Sequence, residues 1–416
     1  MILAQAFQRF VLDLDGVVWK GDEALAGAPE TIRALRDAGK RLAFVTNNSS
    51  ETPESYAKKL ADIGAQGDAA EVVTSADAVA RLMQERIPAL RGRSAYVIGG
   101  PGLMERVADV GVRIDDGADP TACSIVVVGW DRDLTYEKLR RATLAIRAGA
   151  TFVASNTDAT YPAPDGLWPG CGAIVSALRT STGVEPMVAG KPQPLMLEVA
   201  QDRIGGPPAL MIGDRIETDV LAAQALGWPS ALVLTGATGV PELATAPAWP
   251  DFLLRRLSDV LSDLPHPQVR QASGPDLPSI AQLLHDGGLP AGAARERVGR
   301  TVVAEADRRV IATAAWEQLG GVALLRSVAV GTDQRGTGIG MLVVAAALRQ
   351  VVRAGITDVS LVTTDAEGFF ARCGFRTIPR EELSPEVAAH RQITRECPTT
   401  APVMKLSLPA PIPRAQ

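Results

Sequence analysis

Up to about residue 264 the chain alternates short, β-branched apolar runs with helix-length stretches, and this rhythm limits the fold more than any other feature. The runs fall at 10–14, 42–46, 71–74, 95–98, 124–128, 209–212 and 231–234. Strands buried on both faces read as continuous apolar runs, and helices between them supply the crossovers, so the pattern predicts a doubly wound α/β fold with a parallel sheet. Start signals support the helices: Thr52-Pro53 opens 54–63 and Thr135 precedes 136–148. The Pro265-His266-Pro267 break ends the rhythm, and a fresh pattern follows from 268.

A chain of 416 residues is too long for one core and predicts two or three domains. The net charge of -5, with no sustained Lys/Arg tract, argues against nucleic acid as a partner and leaves small molecules as the expected ones. Four scattered cysteines form no C-x-x-C pair, which speaks against a disulfide framework or a zinc site. No apolar run approaches the roughly 20 residues of a membrane helix, and residues 1–10 lack the features of a secretory signal. A cytoplasmic protein is expected.

Four short motifs carry chemistry. Asp13-Leu14-Asp15-Gly16-Val17 leaves the first run, where an open α/β sheet binds its ligands. A calcium loop would need Glu where this chain has Ala24, and a helix where it has a strand. Thr46-Asn47-Asn48-Ser49 ends the second run with a hydroxyl and backbone N–H groups suited to an anion. Gly190-Lys191-Pro192 offers a cation, and Gly213-Asp214 through Thr218-Asp219 adds two carboxylates at another strand end. Asp13, Asp15, Asp214 and Asp219, with no histidine or thiolate nearby, select a hard, oxygen-liking ion, and Mg2+ is the one that accompanies phosphates.

Together these motifs resemble the four of the haloacid dehalogenase (HAD) superfamily, across residues 8–264. Because motifs stand at both ends, the segment 80–185 reads as an inserted α/β cap, with the core at 1–79 and 186–264. Asn156-Thr157-Asp158 and Gly170-Cys171-Gly172 make the insertion similar to the branch of phosphoglycolate, 4-nitrophenyl phosphate and glycerol 3-phosphate phosphatases. The resemblance implies that Asp13 attacks phosphorus while Asp15 acts as acid and then base. It implies Mg2+ held by Asp13, the Asp15 carbonyl and Asp214, with Asp219 in support. Gly16, Thr46, Asn47 and Lys191 would cradle the phosphoryl group. The expected reaction is Mg2+-dependent hydrolysis of a small phosphate monoester, glycerol 3-phosphate first, with phosphoglycolate or another sugar or polyol phosphate as the alternative. Asn156 and Asp158 either bind substrate hydroxyls or form an Asx turn. Trp130 and Trp168 either wall the pocket or pack in the core.

The segment 268–408 has a strand ending Val328-Ala329-Val330, then Gln334-Arg335-Gly336-Thr337-Gly338-Ile339-Gly340, a helix over 341–353, and Phe369-Phe370-Ala371-Arg372-Cys373-Gly374-Phe375. These resemble the GNAT acetyltransferases and imply an α+β domain. Val328, Val330, Arg335, Gly336, Gly338 and Gly340 would hold acetyl-CoA at the helix N-terminus. Phe369 and Phe370 stand where many members have a tyrosine, so N-acetyl transfer competes with an acyl-CoA-sensing or supporting role. The tail 409–416, rich in proline, is expected to be disordered.

Overall fold

The computed structural model describes residues 1–115, 118–163, 165–290 and 295–409. The chain divides into two compact units, residues 2–237 with 250–262, and residue 1 with 238–249 and 263–416. Among the described residues no helix is long and apolar enough to cross a membrane.

In the first unit six parallel strands form the core sheet, in the order Phe252–Leu254, Ser230–Val233, Leu210–Gly213, Arg9–Asp13, Arg41–Thr46, Val72–Thr74. The first strand in sequence is therefore central: its next core partner lies on one side and the returning strand Leu210–Gly213 on the other. That is the topological switch point, where a crevice opens beyond the carboxyl ends of the strands. Successive residues of each apolar run feed opposite cores. Val11, Ala43 and Met211 enter one cluster, and Phe10, Leu12, Phe44 and Ile212 the other.

The inserted segment carries a five-stranded parallel sheet ordered Met187–Val188, Thr151–Ala154, Ile125–Val128, Ser94–Ile98, Arg113–Asp115, and a hairpin of Thr160–Ala163 with Gly166–Pro169. Two boundaries differ from expectation. The sheet reaches past 185, because Met187–Val188 pairs with Val153 and Ala154 before the chain returns to the core. At the other end the helix Ser75–Arg86 runs through 79/80, with Ala76, Val79 and Met83 in a cluster that also holds Val11 and Val127. A two-residue edge strand leaves no periodicity in a sequence, so neither limit was legible there.

The second unit has a seven-stranded sheet, ordered Gln268–Gln271, Thr301–Ala306, Arg309–Leu319, Val322–Val330, Asp358–Val362, Val403–Ser407, Arg376–Ile378. Val322–Val330 and Asp358–Val362 pair in parallel only from Val322 to Leu324, after which their ladder stops. The helix Ile339–Arg353 packs on this sheet. So does a segment expected in the core: the helix Val240–Thr245 lies against Ile339–Arg353, and Pro241 lies beside Gly374. The tail expected to be disordered lies, from 410 onward, outside the described residues.

Phe44 is fully buried in the central sheet. Truncation to alanine removes its transfer free energy and leaves a cavity, so Phe44→Ala should destabilise the first unit by about 3–5 kcal/mol. Chemical denaturation of the purified chain measures this; an unchanged midpoint would contradict the packing described.

Candidate active site

Asp13 is the last residue of its strand, and the chain then folds back on itself: Leu14 O accepts from the N–H groups of Val17, Val18 and Trp19, and Gly16 N–H donates to Trp19 O at 2.7 Å. Gly16 sits at φ +81°, and a Cβ there would run into the Asp214 carboxylate, with Gly236 Cα 2.9 Å away. Glycine is required both for the left-handed backbone and for the approach of Asp214. Asp214 follows Leu210–Gly213, and its Oδ2 accepts from Ala237 N–H at 2.6 Å. Thr235 Oγ1 donates to Gly16 O at 2.6 Å, so the loop after the next strand closes this side of the site.

Lys191, 1% exposed, donates from Nζ to Asp13 Oδ1 and to Asp219 Oδ1, both at 2.5 Å. The other oxygen of Asp219 accepts from the N–H groups of Asp214 at 3.1 Å and Arg215 at 3.0 Å. Asp219 thus holds the lysine and its own loop. Asn47 ties Lys191 in place through a reciprocal pair, accepting from Lys191 N–H at 2.9 Å and donating to Lys191 O at 3.1 Å. Thr46 Oγ1 accepts from Asn48 N–H at 3.1 Å.

One oxygen each from Asp13, Asp214 and Asp219 lies within 4.8 Å of the others. Burial, with the mutual repulsion of these acids, pushes Asp13 well above the usual carboxylate range, against the pull of Lys191. Burial and Asp219 push Asp214 up to about 7. Burial also raises Asp15, opposed by Lys59 and by the Trp19 indole N–H, which donates to its Oδ1 at 3.1 Å. Lys191 experiences a lowering by burial, but attraction to Asp13 and Asp219 outweighs it and keeps the ammonium charged. Three crowded carboxylates against one lysine leave excess negative charge, and an all-oxygen donor set fits a hard divalent cation. The Asp15 carboxylate is not in this set; the part expected of Asp15 as a ligand concerned its carbonyl.

The cavity over these groups has a volume of about 300 Å³, and Asp13, Asp15, Thr46, Asp158, Tyr161 and Leu167 are on its wall. Asn156 also borders it, with both ends of its amide engaged within the protein. Its Oδ1 accepts from Asp158 N–H at 3.0 Å and its Nδ2 donates to Asn47 O at 2.6 Å, the Asx-turn alternative. Asp158 does reach the wall, where Asn47 Nδ2 donates to both of its oxygens at 3.1 Å. Trp130 combines both roles considered for it: its ring stacks on Tyr161 at 4.0 Å, its Nε1 donates to Pro169 O, and it borders the cavity. Trp168 borders an adjoining, wider chamber, with Arg132 over its ring at 5.1 Å. Sequence reasoning missed Tyr161, Leu167 and Arg215 on the cavity wall. The Gly213-to-Asp219 motif contained Arg215, whereas the hairpin carrying the other two has no strand-like run of its own.

In the second unit Val328 and Val330 end the strand that parts from its neighbour, and Arg335 leads into the helix Ile339–Arg353. Gly336 (φ +77°) and Gly338 (φ +95°) take left-handed backbone there, and a Cβ on Gly340 would lie 3.1 Å from the Phe369 ring. The loop therefore takes left-handed backbone immediately before a helix start.

Comparison with known proteins agrees with this geometry. A family model described as haloacid dehalogenase-like hydrolase matches residues 10–113, a HAD-hydrolase-like one 188–260, and an acetyltransferase (GNAT) domain 297–377. A chloroplastic phosphoglycolate phosphatase of Arabidopsis thaliana is 36% identical, over 62% of this chain and 78% of its own. An acid sugar phosphatase of Staphylococcus saprophyticus is 35% identical, over 62% and 98%. The solved structure of a Mycobacterium tuberculosis glycerol phosphate phosphatase, in complex with magnesium, matches 83% of this chain and 91% of its own at 31% identity and TM-score 0.63. The chain belongs to the haloacid dehalogenase-like hydrolases, as a phosphoric monoester hydrolase with a GNAT domain behind it.

Gly16→Ala should lower phosphate release by about 100-fold, since it displaces either the turn after Asp13 or the Asp214 carboxylate. Steady-state assay of the variant checks this; near-normal turnover would mean that the close approach is dispensable.

Proposed function

We propose that the chain hydrolyses a small polyol or sugar phosphate, glycerol 3-phosphate first, through a phosphorylated Asp13. The observation that carries this reading is Asp13 at the floor of a small cavity, clamped by Lys191 and crowded by Asp214. An Asp13 oxygen bonds to phosphorus as the ester oxygen leaves, and Asp15 gives that oxygen its proton. Water then attacks the same phosphorus, Asp15 takes a proton from it, and phosphate leaves Asp13. Thr46, Lys191 and the N–H groups near Gly16 and Asn47 hold the equatorial oxygens. Asp13, Asp214 and the Asp15 carbonyl would hold Mg2+, which when bound neutralises the charge that repels a carboxylate from a phosphate.

The substrate class follows from the cavity and from the relatives. A volume of about 300 Å³ admits a phosphate with a short polyol, and Asp158 offers its hydroxyls an acceptor. The M. tuberculosis glycerol phosphate phosphatase matches this chain through the C-terminal domain as well, which favours glycerol 3-phosphate over phosphoglycolate. For the GNAT domain, the left-handed glycines at a helix start support acetyl-CoA binding. Phe369 and Phe370 place no hydroxyl beside the loop, so binding is favoured over N-acetyl transfer. Calorimetric titration with acetyl-CoA tests this, and no heat of binding would dismiss it.

Asp13→Asn should abolish Mg2+-dependent phosphate release from glycerol 3-phosphate, by at least about 1,000-fold; retained turnover would exclude the covalent route. Metal binding needs Asp214 ionised. With that group at about 7, Mg2+ affinity should rise with pH through neutrality, by about tenfold between pH 6 and pH 8. Titration calorimetry at both values reads it, and a pH-independent affinity would contradict it.

A further inference from the structure

The inserted segment does more at the site than roof it. Its edge strand Met187–Val188 pairs with Val153 and Ala154, and the pairing runs on: Ala189 N–H donates to Ala154 O at 3.0 Å and Gly190 N–H to Ser155 O at 2.7 Å. The next residue is Lys191, so the lysine departs from the edge of the inserted sheet and not from a strand of the core sheet. A Cβ on Gly190 would lie 2.5 Å from Ser155 O and 2.7 Å from Asn47 Oδ1, so only glycine lets these three segments meet. The Lys191 side chain is 1% exposed, and a stem enclosed along its length has no slack to absorb a shift of its backbone.

Asn47 is the junction. Its Oδ1 accepts from Lys191 N–H, while its Nδ2 donates to Lys191 O and to both oxygens of Asp158. Its own carbonyl accepts from Asn156 Nδ2 and from Ser75 Oγ, each at 2.6 Å. An ionised carboxylate only accepts, so Asp158 can face the Nδ2 end of the amide but not the Oδ1 end. That fixes the orientation in which Oδ1 meets Lys191 N–H. Asp158 is held in turn: its N–H donates to Asn156 Oδ1 at 3.0 Å, and its carbonyl accepts from Gly172 N–H at 2.9 Å. An acid on the wall of a cavity that admits phosphate repels that ligand, so its presence there calls for a use that outweighs the repulsion.

We infer that Asp158 is a positioning residue for the chemistry at Asp13. Acting through Asn47, it fixes the backbone of Lys191 and with it the place of the ammonium beside Asp13. This role is separate from any contact of Asp158 with substrate hydroxyls. It makes docking of the loop 155–158 a condition of turnover as well as of substrate choice. The inference rests on the phosphatase reading given above.

The test uses two variants of the full chain. Asp158→Ala removes the acceptor, whereas Asp158→Asn keeps one acceptor oxygen for Asn47 Nδ2. Both are assayed with Mg2+ on glycerol 3-phosphate and on 4-nitrophenyl phosphate, which has no hydroxyl for Asp158 to hold. The expected result is a fall in kcat of about tenfold for Asp158→Ala on both esters alike, and of about threefold or less for Asp158→Asn. Wild-type kcat on the aryl ester, a change confined to KM on the glycerol ester, or equal losses in the two variants would overturn the inference. If Asp158→Ala does not melt cooperatively, Asp158→Ser, too short to reach Asn47, takes its place. Asp13→Asn is assayed alongside: if it loses turnover while Asp158→Ala keeps it, only the Asp158 assignment fails, whereas turnover retained in Asp13→Asn removes the underlying reading and this inference with it.

Discussion

The ammonium of Lys191, enclosed between the carboxylates of Asp13 and Asp219, is the contact on which the site depends. Burying one cation with several acids is expensive unless every charge has a partner and every remaining proton an acceptor. The chain meets that condition from five separate segments: the first strand end, the Asn47 turn, the Lys191 loop, the Asp214 loop and the 235–237 loop. A lysine positioned in this way is held rigid before any substrate arrives, the preorganisation that electrostatic catalysis needs. The same crowding leaves the carboxylates short of positive charge, the deficit that the proposed Mg2+ would make good.

Much of this was legible in the sequence because the residues proposed to act on phosphate occur where apolar runs stop. Each of the seven runs became a strand with ends moved by a residue or two, and Asp13, Thr46 and Asp214 follow from strand ends in a parallel sheet. The strands that escaped, such as Met187–Val188 and Phe252–Leu254, are too short to show a period. The hairpin over the cavity has proline in place of alternation, so Tyr161 and Leu167 gave no signal.

Other features were out of reach because they depend on pairs distant in the chain. Asn47 appeared as a phosphate-side residue, and nothing near it announces that its side chain grips Lys191 and Asp158. Asn156 had two readings of equal standing, and only the placement of Asn47 O decides for the turn. Tyr56 and Trp19 drew no reading from the sequence; both are buried, and the Trp19 indole N–H donates to Asp15, a contact visible only in the folded chain.

The assignment of 238–249 to the second unit changes how the fusion is to be regarded. Residues 235–237 grip Gly16 and Asp214, and the very next stretch is a helix, with Val240, Leu243 and Ala244 buried, that lies against the helix Ile339–Arg353. The modules are therefore interleaved rather than threaded end to end, and no single cleavage of the polypeptide liberates one from the other. Trimming everything beyond 267 would strip cover from the apolar helix Val240–Thr245, an invitation to self-association.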